Sequence, residues 1–138
     1  MKKHHTKTKG DLGVLKVQCD LFQKGYLILS PQTEHESFDL VTYKDGEFDR
    51  IQVKYRALKD GKLQVQFKSY WSDKSGNHIK NWEKDSIDIV AVYCPDTDEC
   101  YYFDPDDFNK SVVLRVEATK NNQVTNIHLA SDYLEMPY

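Results

Sequence analysis

The chain has 138 residues, which is long enough for one globular domain with one core. Its mean hydropathy of −0.71 fits a globular protein. No apolar run approaches the ~20 residues of a membrane span, and the basic N-terminus lacks the apolar segment of a secretory signal. We therefore expect a cytoplasmic protein, with residues 1–138 forming a single domain. The net charge of −3 argues against a uniformly basic nucleic-acid binder.

The charge is distributed unevenly along the chain. Residues 1–84 contain 16 Lys and Arg against 11 Asp and Glu, whereas residues 85–138 contain 3 against 11. One interpretation is that a basic face meets a polyanion while the acidic remainder turns away or meets another protein. A chance difference between the two ends is an equally good interpretation.

The three cysteines do not form a disulfide framework, because their number is odd and their spacing irregular. Cys94 and Cys100 flank a predicted turn, so they are candidates to face each other across a hairpin. We expect these two residues to be reduced cysteines in strands. A zinc site would need two further ligands that the nearby sequence does not offer.

The N-terminal region predicts a flexible basic arm over residues 1–7, followed by a helix. Thr8 and Asp11 resemble a capping box, and Gly25 is the residue type expected just past a helix end near Lys24. An apolar stripe follows from i, i+4, i+7 spacing: Leu12, Leu15, Cys19 and Phe22. Asp11 precedes Leu15 by four residues, so it is predicted on the buried face, either as a cap or as a metal ligand.

The next segment predicts a strand at 26–29 and then a hairpin. Asp45-Gly46 between alternating runs is typical of a type I′ turn, which joins strands over 37–41 and 51–56. With a two-residue turn, paired positions sum to 91, so Asp39 lies opposite Gln52. Alternation then places Gln52, Lys54 and Arg56 on one face of the hairpin.

The remainder of the chain predicts further strands. Asp60-Gly61 precedes a third meander strand at 63–67. The apolar run at 87–94 indicates a central strand, and a turn connects it to a returning strand at 100–103. Short elements are predicted after it: a capped helical turn at 104–108, a strand at 112–116, a turn at 121–122 and a helical turn at 131–136. The fold class is α+β, with a mixed sheet of five or six strands flanked by helices.

Residues 69–84 lack strict alternation and predict a loop with a short helix near 78–82. Aromatic side chains alternate there with lysines, as on some nucleic-acid surfaces. A buried aromatic beside a solvated loop explains the pattern equally well.

Four polar residues converge if the predicted helix packs beside the polar face of the hairpin: Asp11, Asp39, Gln52 and Lys54. Two carboxylates, an amide oxygen and water suit Mg²⁺, which prefers oxygen ligands. Such an ion activates water and polarises a phosphoryl group, and Lys54 would orient the water or offset charge in the transition state. By spacing alone, an ordinary solvated strand face remains open as the alternative.

Asp39 followed by Gln52-x-Lys54, with an acidic residue in the first helix, resembles the PD-(D/E)XK nuclease superfamily. Within it, the sequence resembles the branch of group I intron-associated homing endonucleases. The resemblance covers about residues 7–108 and rests on five stretches: 9–13 (KGDLG), 25–26 (GY), 38–41 (FDLV), 50–56 (RIQVKYR) and 86–102 (SIDIVAVYCP through CYY).

The resemblance implies a restriction-endonuclease-like αβ core and Mg²⁺-dependent, site-specific cleavage of double-stranded DNA, with Mn²⁺ as a possible substitute. It also implies a homodimer or a dimer of dimers. By position, Asp39 matches the metal-binding aspartate and Lys54 the motif lysine. Asp11 stands where many members carry a glutamate of the first helix.

Two departures from the motif stand out. The proline that often precedes the aspartate is absent, and Gln52 replaces the second acid, which removes one negative charge from the predicted metal site. We take Asp11, Asp39 and Gln52 as predicted metal ligands.

We take Asp11, Asp39, Gln52 and Lys54 as the predicted catalytic set, and Lys7, Lys9 and Arg56 as predicted DNA contacts. The alternatives are a junction-resolving or repair nuclease of the same fold, and a catalytically silent DNA-binding module.

Overall fold

A five-stranded mixed sheet forms the centre of the protein in the computed structural model, which describes residues 6–117 and 127–138, apart from the side chain of Lys84. The helix and strands follow in chain order: α1 (Thr6–Gln23), β1 (Leu27–Leu29), β2 (Leu40–Lys44), β3 (Glu47–Tyr55), β4 (Lys62–Gln66), β5 (Lys68–Asp73), β6 (Gly76–Asn81), β7 (Ile89–Cys94), β8 (Glu99–Phe103), β9 (Ser111–Arg115) and β10 (His128–Leu129). Short 3-10 helices span Lys84–Ser86, Pro105–Asp107 and Ala130–Tyr133. Across these two ranges, the helices do not combine the length and apolarity that a membrane span requires.

The central sheet has the order β1-β2-β3-β7-β8, with β3 and β7 parallel and the other neighbours antiparallel. The predicted α+β class and mixed sheet are therefore confirmed. β4, which was predicted as the next strand of the meander, joins β9 and β10 in a second sheet instead. It cannot extend the meander because β7 already occupies the free edge of β3.

The central strand β7 is buried along its whole length because both of its faces are covered. Val90 and Val92 pack against Leu63 and Val65 of β4, in a core cluster shared with β9. The alternate residues, including Ala91, face α1 in a second cluster. Burial on both faces explains why this strand reads as a continuous apolar run.

The cysteines are all free, as expected, but Cys94 and Cys100 do not face each other. Cys100 pairs with Tyr93 in the sheet, whereas Cys94 pairs with Glu99. Because neighbouring residues of a strand point to opposite faces, Cys94 and Cys100 belong to different core clusters.

The helix buries the face opposite to the predicted stripe. Its buried residues are Gly13, Val17 and Leu21, whereas Leu15 and Phe22 are 62% and 69% exposed. Gly13 lies on the buried face and packs directly on β3, where there is room for a methyl group but not for a large side chain. A Cβ at that position would already lie 3.6 Å from side-chain atoms of Tyr55 and Val53.

The start of α1 also corrects the predicted cap and arm. The helix already includes Thr6, so Thr8 lies inside it and does not cap it. Lys7 is helical as well, while residues 1–5 of the predicted arm lie outside the described residues. Asp11 is exposed, contrary to its predicted place on the buried face, because that face turned out to be the other one.

The hairpin register is confirmed. The pairs run from Leu40 with Ile51 to Lys44 with Glu47, and the two-residue turn has positive φ at Asp45 (52°) and Gly46 (86°). The chain geometry therefore matches the sum of 91 that the turn predicted.

Other local predictions have mixed outcomes. Asp104 caps the 3-10 turn Pro105–Asp107 through a 2.8 Å hydrogen bond from the Asp106 N–H, as expected. The strand predicted at 112–116 is β9, and the last helical turn is Ala130–Tyr133. The loop and helix predicted at 69–84 form the hairpin of β5 and β6 instead, and the turn predicted at 121–122 lies outside the described residues.

An ion pair joins the start of β7 to β3. Asp88 Oδ2 accepts hydrogen bonds from the Arg50 N–H at 2.7 Å and from Arg50 Nε at 3.0 Å, and Oδ1 accepts from Nη2 at 3.1 Å. These bonds from Arg50 hold the pKa of the Asp88 carboxyl below its usual value. Asp88 is thus a structural residue that holds the start of β7 against β3.

We expect Asp88→Asn to lower the free energy of unfolding at pH 7 by about 1–2 kcal/mol, because charge-assisted hydrogen bonds are lost. Since the folded pKa lies below the unfolded value, the contribution is present above about pH 4 and is lost as the pH falls through the folded pKa. Urea titrations at pH 7 and pH 3 measure this, and the difference from the wild type should shrink at pH 3. Glu34→Gln, in an exposed loop, is the control. An equal difference at both pH values would show that the ion pair is not its source.

Candidate active site

Asp39 lies where β2 separates from β3. The last pair of these strands is Leu40 with Ile51, and the Asp39 N–H donates to the Ile51 carbonyl at 2.8 Å. Val53 lies beyond that pair, and its N–H donates to Asp39 Oδ2 at 2.8 Å. The side chain thus replaces a strand partner, and the carboxylate is held beside the backbone between Gln52 and Lys54.

The structure brings Asp39, Gln52 and Lys54 together. Gln52 and Lys54 are half-buried and alternate with Ile51 and Val53, which point to the helix side. Asp39 lies one position past the last β2–β3 pair, at the level of Gln52. The register therefore places the three residues on one face of the hairpin, and the charge of Lys54 acts on the Asp39 carboxyl group.

Lys54 is held by a segment that the sequence did not assign to the site. Its Nζ donates to the Lys68 carbonyl at 3.0 Å and lies 4.8 Å from the centre of the Trp82 ring. Burial and, to a lesser extent, the positive charge of Arg56 lower the pKa of Lys54 to about 8, while the negative charge of Asp39 acts in the opposite direction. Lys54 is thus closer than an exposed lysine to exchanging a proton near neutral pH.

The carboxyl group of Asp39 is also shifted by its surroundings. The residue keeps an exposed surface, but protein atoms surround its carboxyl group, and this desolvation raises its pKa. The Val53 N–H and the charge of Lys54 act in the opposite direction. The site therefore disfavours both an isolated negative charge at Asp39 and an isolated positive charge at Lys54.

The donor set fits a hydrated divalent ion. Residues 6–117 and 127–138 contain no cluster of three or more His, Cys, Asp or Glu that could hold a metal by themselves. Asp39 and Gln52 offer one carboxylate and one amide oxygen, and Mg²⁺ usually combines one or two carboxylates with water. The desolvated carboxylate of Asp39 would be favoured by a nearby cation.

Within the part of the chain that the structure describes, no hydrogen bond or ion pair joins Asp11 to Asp39, Gln52 or Lys54. It is exposed near the start of α1, and α1 covers the Val53 face of β3, whereas Gln52 and Lys54 occupy the other face. The close approach of Gly13 to Tyr55 does place the start of α1 at the end of β3 that carries Lys54. The role of Asp11 as a ligand stays a prediction.

The predicted DNA contacts lie in two places. Lys7 and Lys9 are exposed near the start of α1. Arg56 follows β3, where its Nη1 donates to the Tyr55 carbonyl at 2.8 Å, and burial lowers its pKa. Arg56 also lines a hollow with Tyr70 of β5 and with Gln64 and Gln66 of β4.

Sequence reasoning missed Lys68 and Trp82, which contact Lys54, and Ser69, which holds Trp82. The Trp82 Nε1–H donates to Ser69 Oγ at 2.7 Å, and this contact closes the base of the β5–β6 hairpin over the site. The available signal was Asp73-Lys74-Ser75-Gly76, a turn sequence between two runs with aromatic and β-branched residues. Both faces of these runs are exposed and mix polar with apolar residues, so no alternation revealed the strands.

Comparisons with known proteins agree with this fold. A sequence profile described as PD-(D/E)XK endonuclease matches residues 4–136. Among solved structures, the bacterial homing endonuclease I-Ssp6803I superposes with a TM-score of 0.72 and 20% identity, over 94% of this chain and 88% of that chain, which shows a shared fold. No curated protein matches the sequence. Since the profile spans almost the entire chain, the protein belongs to the PD-(D/E)XK endonuclease family.

Proposed function

We propose that the protein is a Mg²⁺-dependent, site-specific endonuclease of the homing type that hydrolyses phosphodiester bonds in double-stranded DNA. The observation that carries this proposal is the grouping of Asp39, Gln52 and Lys54 where β2 separates from β3. Family membership and the shared fold with a homing endonuclease support it.

The residues of the site have separate tasks in this proposal. Asp39 and Gln52 would hold the ion, and the Val53 N–H fixes the orientation of the Asp39 carboxylate. When bound, Mg²⁺ supplies Lewis-acid polarisation of the phosphoryl group and acidifies water. Lys54 accepts a proton from the attacking water or, when protonated, offsets charge on the phosphoryl oxygens in the transition state.

The basic residues around the site would contact phosphates. We assign Lys7, Lys9 and Arg56 to phosphate contacts, which position the duplex and carry no sequence information. The affinity should fall as salt rises, because such contacts release counterions from DNA.

Asp39→Asn and Lys54→Ala are each expected to lower Mg²⁺-dependent nicking of supercoiled plasmid by at least about 100-fold, because a ligand or the proton-transfer group is lost. Binding of both variants to duplex DNA in Ca²⁺ should remain measurable by mobility shift. Lys59→Ala, in an exposed turn, is the control. Wild-type nicking rates in both variants would refute the site assignment, whereas binding without cleavage by the wild type would identify a silent DNA-binding module.

The Asp11→Asn variant tests whether Asp11 is a metal ligand or only a surface residue. If Asp11 supplies a third oxygen ligand when DNA and metal bind, the variant should lose cleavage by about 10-fold or more and need more Mg²⁺. Because Asp11 is exposed and does not cap the helix, the thermal unfolding midpoint of the variant should equal that of the wild type. Unchanged cleavage at limiting Mg²⁺ would remove Asp11 from the ligand set.

We also propose that the protein acts as a homodimer or a dimer of dimers. One set of catalytic residues cuts one strand, and a second copy related by two-fold symmetry would present the same set to the other strand. The exposed apolar face of α1, with Leu15 and Phe22, is available for such a contact.

Leu15→Glu combined with Phe22→Glu should shift the mass measured by light scattering toward the monomer, because charge would replace the apolar contact. Gln23→Glu, on an exposed part of the same helix, is the control. Circular dichroism checks that the double variant is folded. A monomeric wild type would refute the assembly, and an unchanged mass of the double variant would refute this contact.

A further inference from the structure

The hairpin of β5 and β6 stands apart from both larger sheets. Its strands pair with each other from Lys68 with Asn81 to Asp73 with Gly76, in a sheet of two strands. Apolar side chains remain exposed on it, with Tyr70 at 54% and Ile79 at 63%. An isolated two-stranded ribbon is marginal in water, so its base must be held by the rest of the protein.

The base of the hairpin is fixed to the core and to the candidate active site. Trp82, which follows β6, stacks on Phe67 with ring centres 5.7 Å apart and donates to Ser69 Oγ. The Lys68 carbonyl accepts a hydrogen bond from Lys54 Nζ. The hairpin therefore has a fixed position relative to the catalytic lysine, while its far end projects into solvent.

The surface of the hairpin is basic and rich in groups that form hydrogen bonds. It carries three lysines against one aspartate, within a chain of net charge −3. That aspartate, Asp73, is already engaged by Ser75 and by His78, whose Nε2 lies 2.9 Å from its Oδ1. The charge left for a partner is positive, which favours a polyanion over an acidic protein surface.

One face of the hairpin presents a row of side chains to solvent. Ser72 pairs with Asn77 near the tip, and Tyr70 pairs with Ile79 in the next row of the same face. All four are exposed. Tyr70 is fixed by a 2.7 Å hydrogen bond from its hydroxyl to Gln66 Oε1, so this row is continuous with the hollow beside Arg56.

We propose that this hairpin enters the major groove of the DNA and reads base edges with Ser72, Asn77 and Ile79. The inference rests on the proposed function, since it assigns the DNA-reading element of that same enzyme. The major groove is ~12 Å wide and admits a two-stranded ribbon, whose strands lie ~4.8 Å apart. Six residues per strand reach ~20 Å, enough to follow several base pairs.

The chemistry of the row fits base recognition. An asparagine amide forms a bidentate pair with adenine N6 and N7, and an apolar side chain contacts the thymine methyl. The Ser72 hydroxyl donates to Asn77 Oδ1 at 2.5 Å, which fixes the direction of that amide and leaves its NH2 group and one oxygen lone pair for a base. Because Lys68 and Lys54 share a hydrogen bond, the phosphate presented to the site lies a fixed distance from the bases being read. Site preference would thereby be linked to the position of cleavage.

The experiment selects bound sequences from a duplex library with 30 randomised base pairs, by mobility shift in Ca²⁺, where cleavage is not needed. The wild type should enrich one motif and protect its guanine N7 atoms, in the major groove, from dimethyl sulfate. In Ser72→Ala combined with Asn77→Ala, we expect the affinity for that motif to fall by roughly 10- to 100-fold and the protection to disappear. Gln23→Ala combined with Ser131→Ala, on exposed surfaces elsewhere, should select the wild-type motif.

Three results would overturn the inference: no motif enriched by the wild type, the same motif and protection with the hairpin variant, or protection confined to adenine N3 in the minor groove. A lower oligomer mass in the hairpin variant would assign the hairpin to a contact between copies instead. Failure of the wild type to cleave in Mg²⁺, despite a selected motif, would refute only the proposed activity. The two proposals can therefore fail separately.

Discussion

The hydrogen bond from the Val53 N–H to Asp39 Oδ2 is the contact on which the site depends. Backbone donors in a sheet need partners, and β2 stops pairing with β3 before it reaches Val53. The side chain of Asp39 supplies the missing acceptor, so the end of a strand pair fixes a carboxylate at the edge of the sheet. Gln52 and Lys54, both half-buried, lie on the face of β3 to which this carboxylate belongs.

The electrostatics of the site follow from this placement. Desolvation raises the pKa of Asp39 and lowers that of Lys54, so the free protein holds two groups whose charged forms are disfavoured. A divalent cation near Asp39 and a phosphate near Lys54 would reverse both effects at once. Gln52 contributes an oxygen without adding a charge, which lowers repulsion in the free site but also weakens its attraction for a cation.

The sequence could predict whatever depended on local geometry, and failed where distant contacts decide. The Asp45-Gly46 turn determined the register of the hairpin, and with it the neighbours of Asp39. The prediction of the buried face of α1 was wrong, because Leu15 and Phe22 outweigh Gly13 in any count of apolar residues. The absence of a side chain at Gly13 nevertheless allows close packing on β3.

The sequence could not predict the strand that pairs with β4, for a related reason. Leu63 and Val65 alternate in the same way whichever sheet they join, and the strand that pairs with them, β9, follows about 45 residues later. The β5–β6 hairpin escaped notice because neither of its faces joins an extended core, so no alternation marks it. Elements exposed on both sides are poorly encoded by hydrophobic pattern, and such elements are where surfaces for partners are found.

The position of Lys54 between the hairpin and Asp39 gives it two roles that do not conflict. A lysine ammonium has three donors, and the Lys68 carbonyl uses one of them. The Trp82 ring covers part of the side chain and helps to fix its direction, while two donors remain for a phosphate oxygen or a water. The hairpin and Trp82 can thus hold Lys54 in place without using all of its donors, so any movement of the hairpin would act on Lys54 through both contacts.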